Sequence, residues 1–158
     1  MNCNWHEMTI KDVCEKLNTS VEKGLTAEQA AKIRESAGKN KIKSLKLLSY
    51  TSCLRNGEII NVPTKHLTVG DVVQLKAPFI VPADIVVIKA TEDARVDKSS
   101  LTGESEPKKV SSTETHKNPL ESSNFLLAGT RLTTGSCEGI VVAVGKNTIF
   151  GKVSGLGL

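Results

Sequence analysis

The spacing of apolar residues divides the chain into a helical beginning and a longer region of short strands. Near the start, apolar side chains recur at the spacing of one helical face, namely Ile10, Val13, Cys14 and Leu17. Thr9 is placed to cap this helix, and Asp12 stands at the capping-box position three residues further on. The pattern predicts a short amphipathic helix over residues 9–18, which needs another surface to pack on.

A second amphipathic helix is predicted directly after the first. Thr26 is its expected cap, and Gln29 stands at the capping-box position. Leu25 before the cap and Ala30 after it are spaced to form a hydrophobic staple. Gly38 suits the end of the helix, because glycine accepts the left-handed backbone that often follows a last turn.

From Thr51 onward the apolar period shortens to that of strands. Strands are predicted at Ser52–Leu54, Glu58–Ile60, Asp71–Lys76, Asp84–Ala90, Arg95–Asp97, Phe125–Thr130 and Glu138–Gly145, the last two joined through Thr133–Ser136. Asn56 and Gly57 lie between the first two strands, and Asn-Gly between apolar runs is a hairpin signal. Many short strands with regular turn signals predict a small β-sandwich or distorted jelly roll.

The predicted organisation has three parts: a helical region over residues 1–40, a linker over 41–50 and a β-rich domain over 51–153. The fold class is therefore mainly β with N-terminal helices, or α+β. Residues 39–50 alternate basic and apolar side chains, which favours a linker, with a basic membrane-surface helix as the alternative. Lys108–Ser123 is polar and predicts a long exposed loop.

Composition narrows the possible functions of the chain. Its 158 residues suffice for one domain, the net charge of +4 is mild, and five aromatic residues are poor material for stacking bases, so nucleic-acid binding is disfavoured. Four scattered cysteines and three scattered histidines predict neither a metal site nor a disulfide framework. No signal pattern opens the chain, and no apolar run approaches the ~20 residues that span a bilayer. As written, the chain is expected to be soluble and cytoplasmic.

One polar stretch, Val96–Pro107, combines a single central carboxylate with turn residues on both sides. Gly103 permits a backbone that thrusts Glu104 out at a loop tip, where a group acting on another surface must lie. A carboxylate in that position can hold a water molecule and accept its proton. The alternative is a solvated turn without chemistry.

The tetrad Thr102, Gly103, Glu104 and Ser105 resembles the Thr-Gly-Glu-Ser signature in the actuator domain of the P-type cation-transporting ATPases. Other segments resemble the same family in the same order, namely Gly24–Thr26, Leu67–Val73, Pro82–Asp84, Asn118–Glu121, Gly139–Val142 and Thr148–Val153. Within this set, Asn118–Glu121 resembles the sodium/potassium and proton/potassium pump branch, and the last two segments resemble closing strands. The resemblance covers nearly the whole chain and implies the distorted jelly-roll fold of the actuator domain.

The resemblance also implies a role. These pumps phosphorylate an aspartate in a separate phosphorylation domain and then hydrolyse the aspartyl phosphate. By resemblance, Glu104 activates the attacking water, Thr102 and Gly103 shape the tip, and Ser105 holds the loop or helps to place the water. The implied partners are the phosphorylation domain and the membrane helices of a pump, at the cytosolic face of a membrane. No cofactor is expected in this chain, because ATP and Mg²⁺ would belong to other domains.

The sequence departs from the family in several places. About Lys39–Ser44 joins the helices to the β-domain directly, where related pumps have a transmembrane hairpin. Neither Asp-Lys-Thr-Gly nor Gly-x-x-x-x-Gly-Lys occurs, so the chain alone is not expected to hydrolyse ATP. Pro78-Phe79 stands where the family usually has Gly-Asp.

Two other functions stay open. One is a shortened stand-alone protein that uses the actuator fold as a non-catalytic binding or regulatory module, which the change at Pro78-Phe79 favours. The other is an unrelated β-domain with a chance Thr-Gly-Glu-Ser, which does not explain the ordered matches along the chain.

Overall fold

A computed structural model describes residues 4–42, 45–113 and 115–156, with the side chains of 154–156 left aside. Three positions that carry predictions lie outside the described residues: Lys43 and Ser44 of the predicted linker, and Glu114 of the predicted loop. Cys3, expected to be a reduced thiol, lies outside them as well.

Both N-terminal helices form where the sequence predicts them, as α1 (Ile10–Leu17) and α2 (Ala27–Ala37). The hydroxyl of Thr26 accepts the Gln29 N–H at 3.0 Å, and the Gln29 side chain accepts the Thr26 N–H at 2.9 Å, which completes the capping box of α2. At α1, the described residues show only the Thr9 half of the box, in which its hydroxyl accepts the Asp12 N–H at 3.1 Å.

Ten antiparallel strands form two sheets among the residues that the structure describes. They are β1 (Tyr50–Arg55), β2 (Glu58–Pro63), β3 (Val72–Lys76), β4 (Phe79–Ile80), β5 (Asp84–Ala90), β6 (Arg95–Asp97), β7 (Lys108–Lys109), β8 (Phe125–Leu126), β9 (Arg131–Thr134) and β10 (Ser136–Ala143). The large sheet has the order β2-β1-β3-β10-β5-β8, and the small sheet has the order β4-β9-β6-β7. The hairpin between β1 and β2 turns at Asn56 and Gly57, both with positive φ, as the sequence predicts.

Apolar side chains of the large sheet alternate between its two faces, which gives the fold two cores. One core lies between the sheets and includes Val73, Ile85, Val141 and, from the small sheet, Val96 and Leu132. The other core lies on the opposite face, where Val72, Val86, Ile140 and Val142 pack with Val13 of α1. The large sheet is thus covered on both faces, by the small sheet and by the N-terminal region. The prediction of a mainly β sandwich with N-terminal helices is confirmed.

Several local predictions are wrong. A one-turn helix, α3 (Ser99–Thr102), occupies part of the stretch predicted to be loop throughout. The predicted strand Phe125–Thr130 ends at Leu126, because Gly129 adopts a φ of 89° and the Thr130 hydroxyl donates to the Leu127 carbonyl at 2.6 Å. The chain then enters β9, for which no strand was predicted.

The end of the chain is helical rather than a closing strand. Helix α4 (Ile149–Leu156) begins after Thr148, whose hydroxyl accepts the Gly151 N–H at 2.9 Å in the manner of an N-cap. The buried carboxylate of Asp84 accepts the Ile149 N–H at 2.9 Å and the Ala128 N–H at 3.0 Å. The Pro-Ala-Asp segment therefore ends in a residue that holds the start of α4 against β5.

The loop predicted over Lys108–Ser123 is shorter than expected at both ends. Lys108 and Lys109 pair with β6, and Val110 is buried in the core between the sheets. At the other end Ser122 is buried and hydrogen-bonds Asn124. Most of the intervening described residues are exposed, as predicted.

The predicted linker runs over the surface without forming a helix in its described residues. Buried Asn40 fixes its first part, because its amide donates to the carbonyls of Thr64 and Pro82 and accepts the Gly145 N–H, all within 3.1 Å. The alternative of a basic membrane-surface helix is therefore wrong for the described part of this segment. The domain boundaries at residues 40 and 50 stay a prediction.

Candidate functional site

The Thr-Gly-Glu-Ser tetrad is presented by a tight turn that follows β6. The carboxylate of Asp97 accepts the Ser99 N–H at 2.8 Å and so starts α3. The Lys98 carbonyl then accepts both the N–H of Thr102, at 2.9 Å, and its hydroxyl, at 3.1 Å. Thr102 is therefore bonded back into the turn, as a residue that shapes the tip should be.

Gly103 ends the helical turn in the left-handed conformation, with a φ of 77°. Its N–H donates to the Ser99 carbonyl at 2.9 Å. No heavy atom lies within 4 Å of the position that a Cβ would occupy, so the surroundings leave room for a side chain. Glycine is required here by the backbone angle alone.

Glu104 points away from the fold with 58% of its side chain exposed. Its N–H donates to the Thr102 hydroxyl at 3.2 Å, which fixes the backbone at the tip. One carboxylate oxygen lies 3.4 Å from the ammonium of Lys108, itself 40% exposed, and such a solvated pair contributes little to stability. The carboxylate is thus available to a second surface.

Ser105 lies beside Glu104 and is also exposed. Within the described part of the chain, its side chain makes no hydrogen bond that would hold the loop. The structure brings all four predicted residues together in one turn. Their catalytic roles stay a prediction, because no partner surface is present.

Two residues beneath the tip tie it to the rest of the fold, and sequence reasoning assigned no role to either. The buried ammonium of Lys98 donates to the Leu120 carbonyl at 2.8 Å, and burial lowers its pKa, with Lys108 acting in the same direction and Glu121 opposing. The Ser100 hydroxyl donates to the Gly129 carbonyl at 2.9 Å. A lysine next to the tetrad was visible in the sequence, but its distant carbonyl partner was not.

The departure at Pro78-Phe79 lies at the edge of the small sheet. Phe79 pairs with Leu132 of β9 and packs, half-buried, against the core between the sheets. Phe79 therefore contributes to the packing of the core between the sheets. Its effect on docking to a partner domain stays a prediction.

The described residues also bear on three other possibilities, namely a metal site, a reactive thiol and a membrane-spanning helix. Across residues 4–42, 45–113 and 115–156, no three His, Cys, Asp or Glu side chains lie close enough together to hold a metal ion. Burial raises the pKa of Cys53 and raises that of Cys137 to about 12, so both thiols stay protonated at neutral pH. Among these same residues, no helix has the length and apolar character needed to cross a bilayer.

Two packed β-sheets and an exposed carboxylate on a turn are the features of an actuator domain. A comparison with known protein families identifies the same class of domain. The P-type ATPase actuator domain matches residues 46–156, and the N-terminal domain of cation transporters and ATPases matches residues 5–54. The chain therefore belongs to the P-type ATPase actuator-domain family.

Among curated proteins, the chain is 42% identical over 107 residues to the sodium/potassium-transporting ATPase subunit alpha-B of Artemia franciscana. It is 43% identical over 103 residues to the potassium-transporting ATPase alpha chain 2 of Homo sapiens. These matches cover 68% and 65% of this chain but only 11% and 10% of the relatives. The chain thus corresponds to about a tenth of the length of these relatives.

A solved structure shares the fold. A zinc-transporting PIB-type ATPase, crystallised in the E2.Pi state, superposes with a TM-score of 0.56 and 22% sequence identity. The superposition covers 80% of this chain and 19% of the other. At this identity the likeness supports the architecture of the two sheets.

Proposed function

We propose that this chain serves as the actuator part of an ATP-driven cation pump, in which Glu104 activates the water that hydrolyses an aspartyl phosphate. The observation that carries the proposal is the Glu104 carboxylate itself, which stands exposed at the tip of a turn whose backbone is fixed at Thr102 and Gly103. The sodium/potassium-transporting and potassium-transporting relatives favour transport of a monovalent cation.

The proposed chemistry requires mainly that the chain hold one carboxylate in the correct position. Water attacks phosphorus, the bond between phosphorus and the aspartyl oxygen breaks, and Glu104 takes the proton that the water loses. Phosphoryl transfer depends mostly on the alignment of the attacking and leaving oxygens. A carboxylate on a turn that is bonded to Lys98 and Ser99 can be aligned by moving the whole domain.

Each residue of the tetrad would have its own role in positioning the water or the carboxylate. Thr102 and Gly103 would set the direction of the tip, and Ser105, exposed and beside Glu104, would help to place the water or hold the loop in the docked state. Lys108 would leave the Glu104 carboxylate on docking, at little cost because the pair is solvated.

The proposed partners are the phosphorylation domain and the membrane helices of a pump, at the cytosolic face of a membrane. Rotation of the β-domain as a rigid body would couple hydrolysis to ion movement. Two cores that cover both faces of the large sheet support such rigidity. ATP and Mg²⁺ would bind other domains of the assembled pump.

A second candidate is a non-catalytic binding or regulatory module that keeps the fold. The observation that favours it is Phe79, which packs against the core at a place where the family usually carries an acidic turn. In this reading, the apolar replacement abolishes docking to a phosphorylation domain.

The proposal is tested by placing this domain in a full-length sodium/potassium pump and following the decay of its phosphoenzyme. We expect Glu104→Gln to slow decay by ~10²–10⁴-fold, because Gln can hydrogen-bond water but cannot accept its proton. Lys108→Gln is the matched control, since it removes the ion-pair partner of Glu104 and leaves the carboxylate. Equal decay with Glu104 and with Gln, in a chimera that carries Gly-Asp in place of Pro78-Phe79, would refute the catalytic role.

A further inference from the structure

One surface of the molecule combines exposed apolar and basic side chains and has no role in the proposed hydrolysis. We call it the linker face, a groove between the linker and the residues that follow β2. Its apolar lining comprises Ile42, Leu45, Leu47, Leu48, Tyr50 and Pro63. Its rim includes Lys41, Lys65 and His66.

Two large apolar side chains of the linker face, Leu48 and Tyr50, are exposed, while Ile42 beside them is buried. Leu48 is 45% exposed and Tyr50 is 60% exposed, although both are large. The backbone around them is fixed, because the Ser49 carbonyl accepts the Thr64 N–H at 2.9 Å and Asn40 anchors the preceding turn. Neighbouring apolar side chains held in water by an ordered backbone mark an interaction surface.

Exposed lysines flank the groove. Lys39, Lys41, Lys46 and Lys65 are exposed, and none is in an ion pair with any residue that the structure describes. Burial and then the charges of Arg34, Lys65, Lys39 and Arg55 lower the pKa of His66. Between residues 30 and 50 the sequence has a single acidic residue, Glu35.

We propose that the linker face binds the surface of a bilayer that contains anionic phospholipids. Leu48 and Tyr50 enter the region between headgroups and acyl chains, and the surrounding lysines contact lipid phosphates. Apolar area and basic charge on one face are the two terms that hold a peripheral protein on such a surface. Tyrosine suits this boundary because its ring is apolar and its hydroxyl remains in water.

A peptide fits this face less well than a bilayer. A peptide that adds as a strand needs free backbone groups, but the Ser49 and Lys65 carbonyls already accept the N–H groups of Thr64 and Asn40. Acidic peptides are usually bound by arginines that form paired hydrogen bonds with each carboxylate, whereas the rim of this groove carries separate lysines. Separate lysines around an apolar centre match a fluid, diffuse layer of anionic headgroups.

The experiment is co-sedimentation of the full 158-residue chain with lipid vesicles. One set contains phosphatidylcholine alone, and the other contains about 30% phosphatidylserine, which imitates an anionic leaflet. We expect binding to the anionic vesicles that weakens as salt rises, and at least tenfold weaker binding to neutral vesicles. Equal binding to both sets, or none to either, would overturn the proposal.

Matched variants separate this face from the net charge of the chain. The triple variant Lys39→Glu, Lys41→Glu, Lys65→Glu is compared with the control Lys11→Glu, Lys23→Glu, Lys109→Glu, whose lysines are exposed elsewhere and whose charge change is the same. We expect the first triple to lower binding at least tenfold and the control less than threefold. Equal losses would mean that net charge alone drives the association.

Two further sets of variants distinguish a loss of membrane binding from a loss of folding or of charge. A milder triple variant carries Gln at the same three positions, in case the Glu variant fails to fold. Its unfolding midpoint is compared with that of the wild type. Leu48→Ser with Tyr50→Ser removes apolar area at constant charge and should also weaken binding. Retention of the chain on immobilised polyglutamate, without binding to anionic vesicles, would assign the face to an acidic protein and contradict the proposal.

Discussion

At Gly103 the backbone, and not the surrounding space, restricts which residue the turn accepts. Its φ of 77° is reached easily only by glycine, while the volume around a Cβ is open. The neighbouring Glu104 has no such constraint, because its side chain stands in solvent. Two adjacent residues of one motif therefore have different physical requirements, the first structural and the second chemical.

We expect Gly103→Ala to lower the free energy of unfolding by ~1 kcal/mol, the usual cost of a Cβ in the left-handed region. Glu104→Gln in the same turn should change it by less than ~0.5 kcal/mol. Urea unfolding of the two variants beside the wild type measures both values. Equal costs would show that the turn does not depend on glycine.

Arg55 and Asp71 form the one fully buried ion pair among the described residues, with two hydrogen bonds of 3.0 and 2.8 Å. Asp71 also accepts the Thr68 N–H at 2.9 Å. We expect Asp71→Asn to destabilise the fold by ~3–5 kcal/mol, because it leaves a buried guanidinium without its counter-charge.

The control for this prediction is Glu138→Gln, which breaks the ion pair with Lys89, whose side chain is 72% exposed. That change should cost below ~1 kcal/mol, since solvent screens the pair. The difference between the two variants in a thermal or urea unfolding series tests whether burial sets the cost. Similar costs for both would contradict this account.

At the scale of elements, the segment between β7 and β8 is anchored at Val110, Lys117 and Leu120, and most of its other described residues are exposed. Val110 is buried, the Lys98 ammonium donates to the Leu120 carbonyl, and His6 hydrogen-bonds the Lys117 carbonyl at 2.9 Å. Few apolar side chains cover the residues in between, which favours access by proteases.

We expect limited trypsin digestion to cut first within Lys108–Ser123, at Lys117, whose side chain is exposed and whose carbonyl is held by a single hydrogen bond from His6. Mass spectrometry of the earliest fragments measures this. Lys89 in β5 is the internal control, because it also stands exposed but lies in a strand and pairs with Glu138 of β10. First cuts within Asp84–Ala90 would contradict the arrangement of strands.

The elements that sequence reasoning located are those whose signals are local. Both N-terminal helices carry their caps within three residues, and the hairpin carries its turn at Asn56-Gly57. Strands β4 and β7 have two residues each, and they exist only because distant strands pair with them. No local period can reveal such strands.

The same limit applies to α4 and to the candidate site. The Thr148 hydroxyl caps α4 locally, but the carboxylate that holds Ile149 belongs to Asp84, 65 positions earlier. At the site, the tetrad was found because its four residues are contiguous. Lys98 was overlooked because its partner, the Leu120 carbonyl, is fixed by the tertiary fold.

At the scale of the whole molecule, the chain carries the candidate general base Glu104 and lacks the family's sequence motifs for handling ATP. No phosphate-binding loop or phosphorylatable aspartate motif occurs in the sequence. We expect the purified chain to release no phosphate from ATP above a Glu104→Ala control, measured with a coupled phosphate assay. Turnover that depends on Glu104 would contradict the proposed division of labour between domains.

In the proposed function Glu104 accepts a proton during aspartyl-phosphate hydrolysis, and the effect of Pro78-Phe79 on docking must be separated from that role. Four chimeric sodium/potassium pumps do so, combining Glu104 or Gln with Pro78-Phe79 or Gly-Asp at those two positions. Gly-Asp restores the acidic turn that is usual in the family, so docking is not limiting in that background.

The deciding measurement is rapid-quench decay of the phosphoenzyme in these four chimeras. In the Gly-Asp background we expect Glu104→Gln to slow decay by ~10²–10⁴-fold, the usual cost of removing a general base. If the Pro78-Phe79 chimera is slow even with Glu104 and the Gly-Asp chimera is fast, the apolar replacement has impaired docking. Equal decay with Glu104 and with Gln in the Gly-Asp background would contradict the claim.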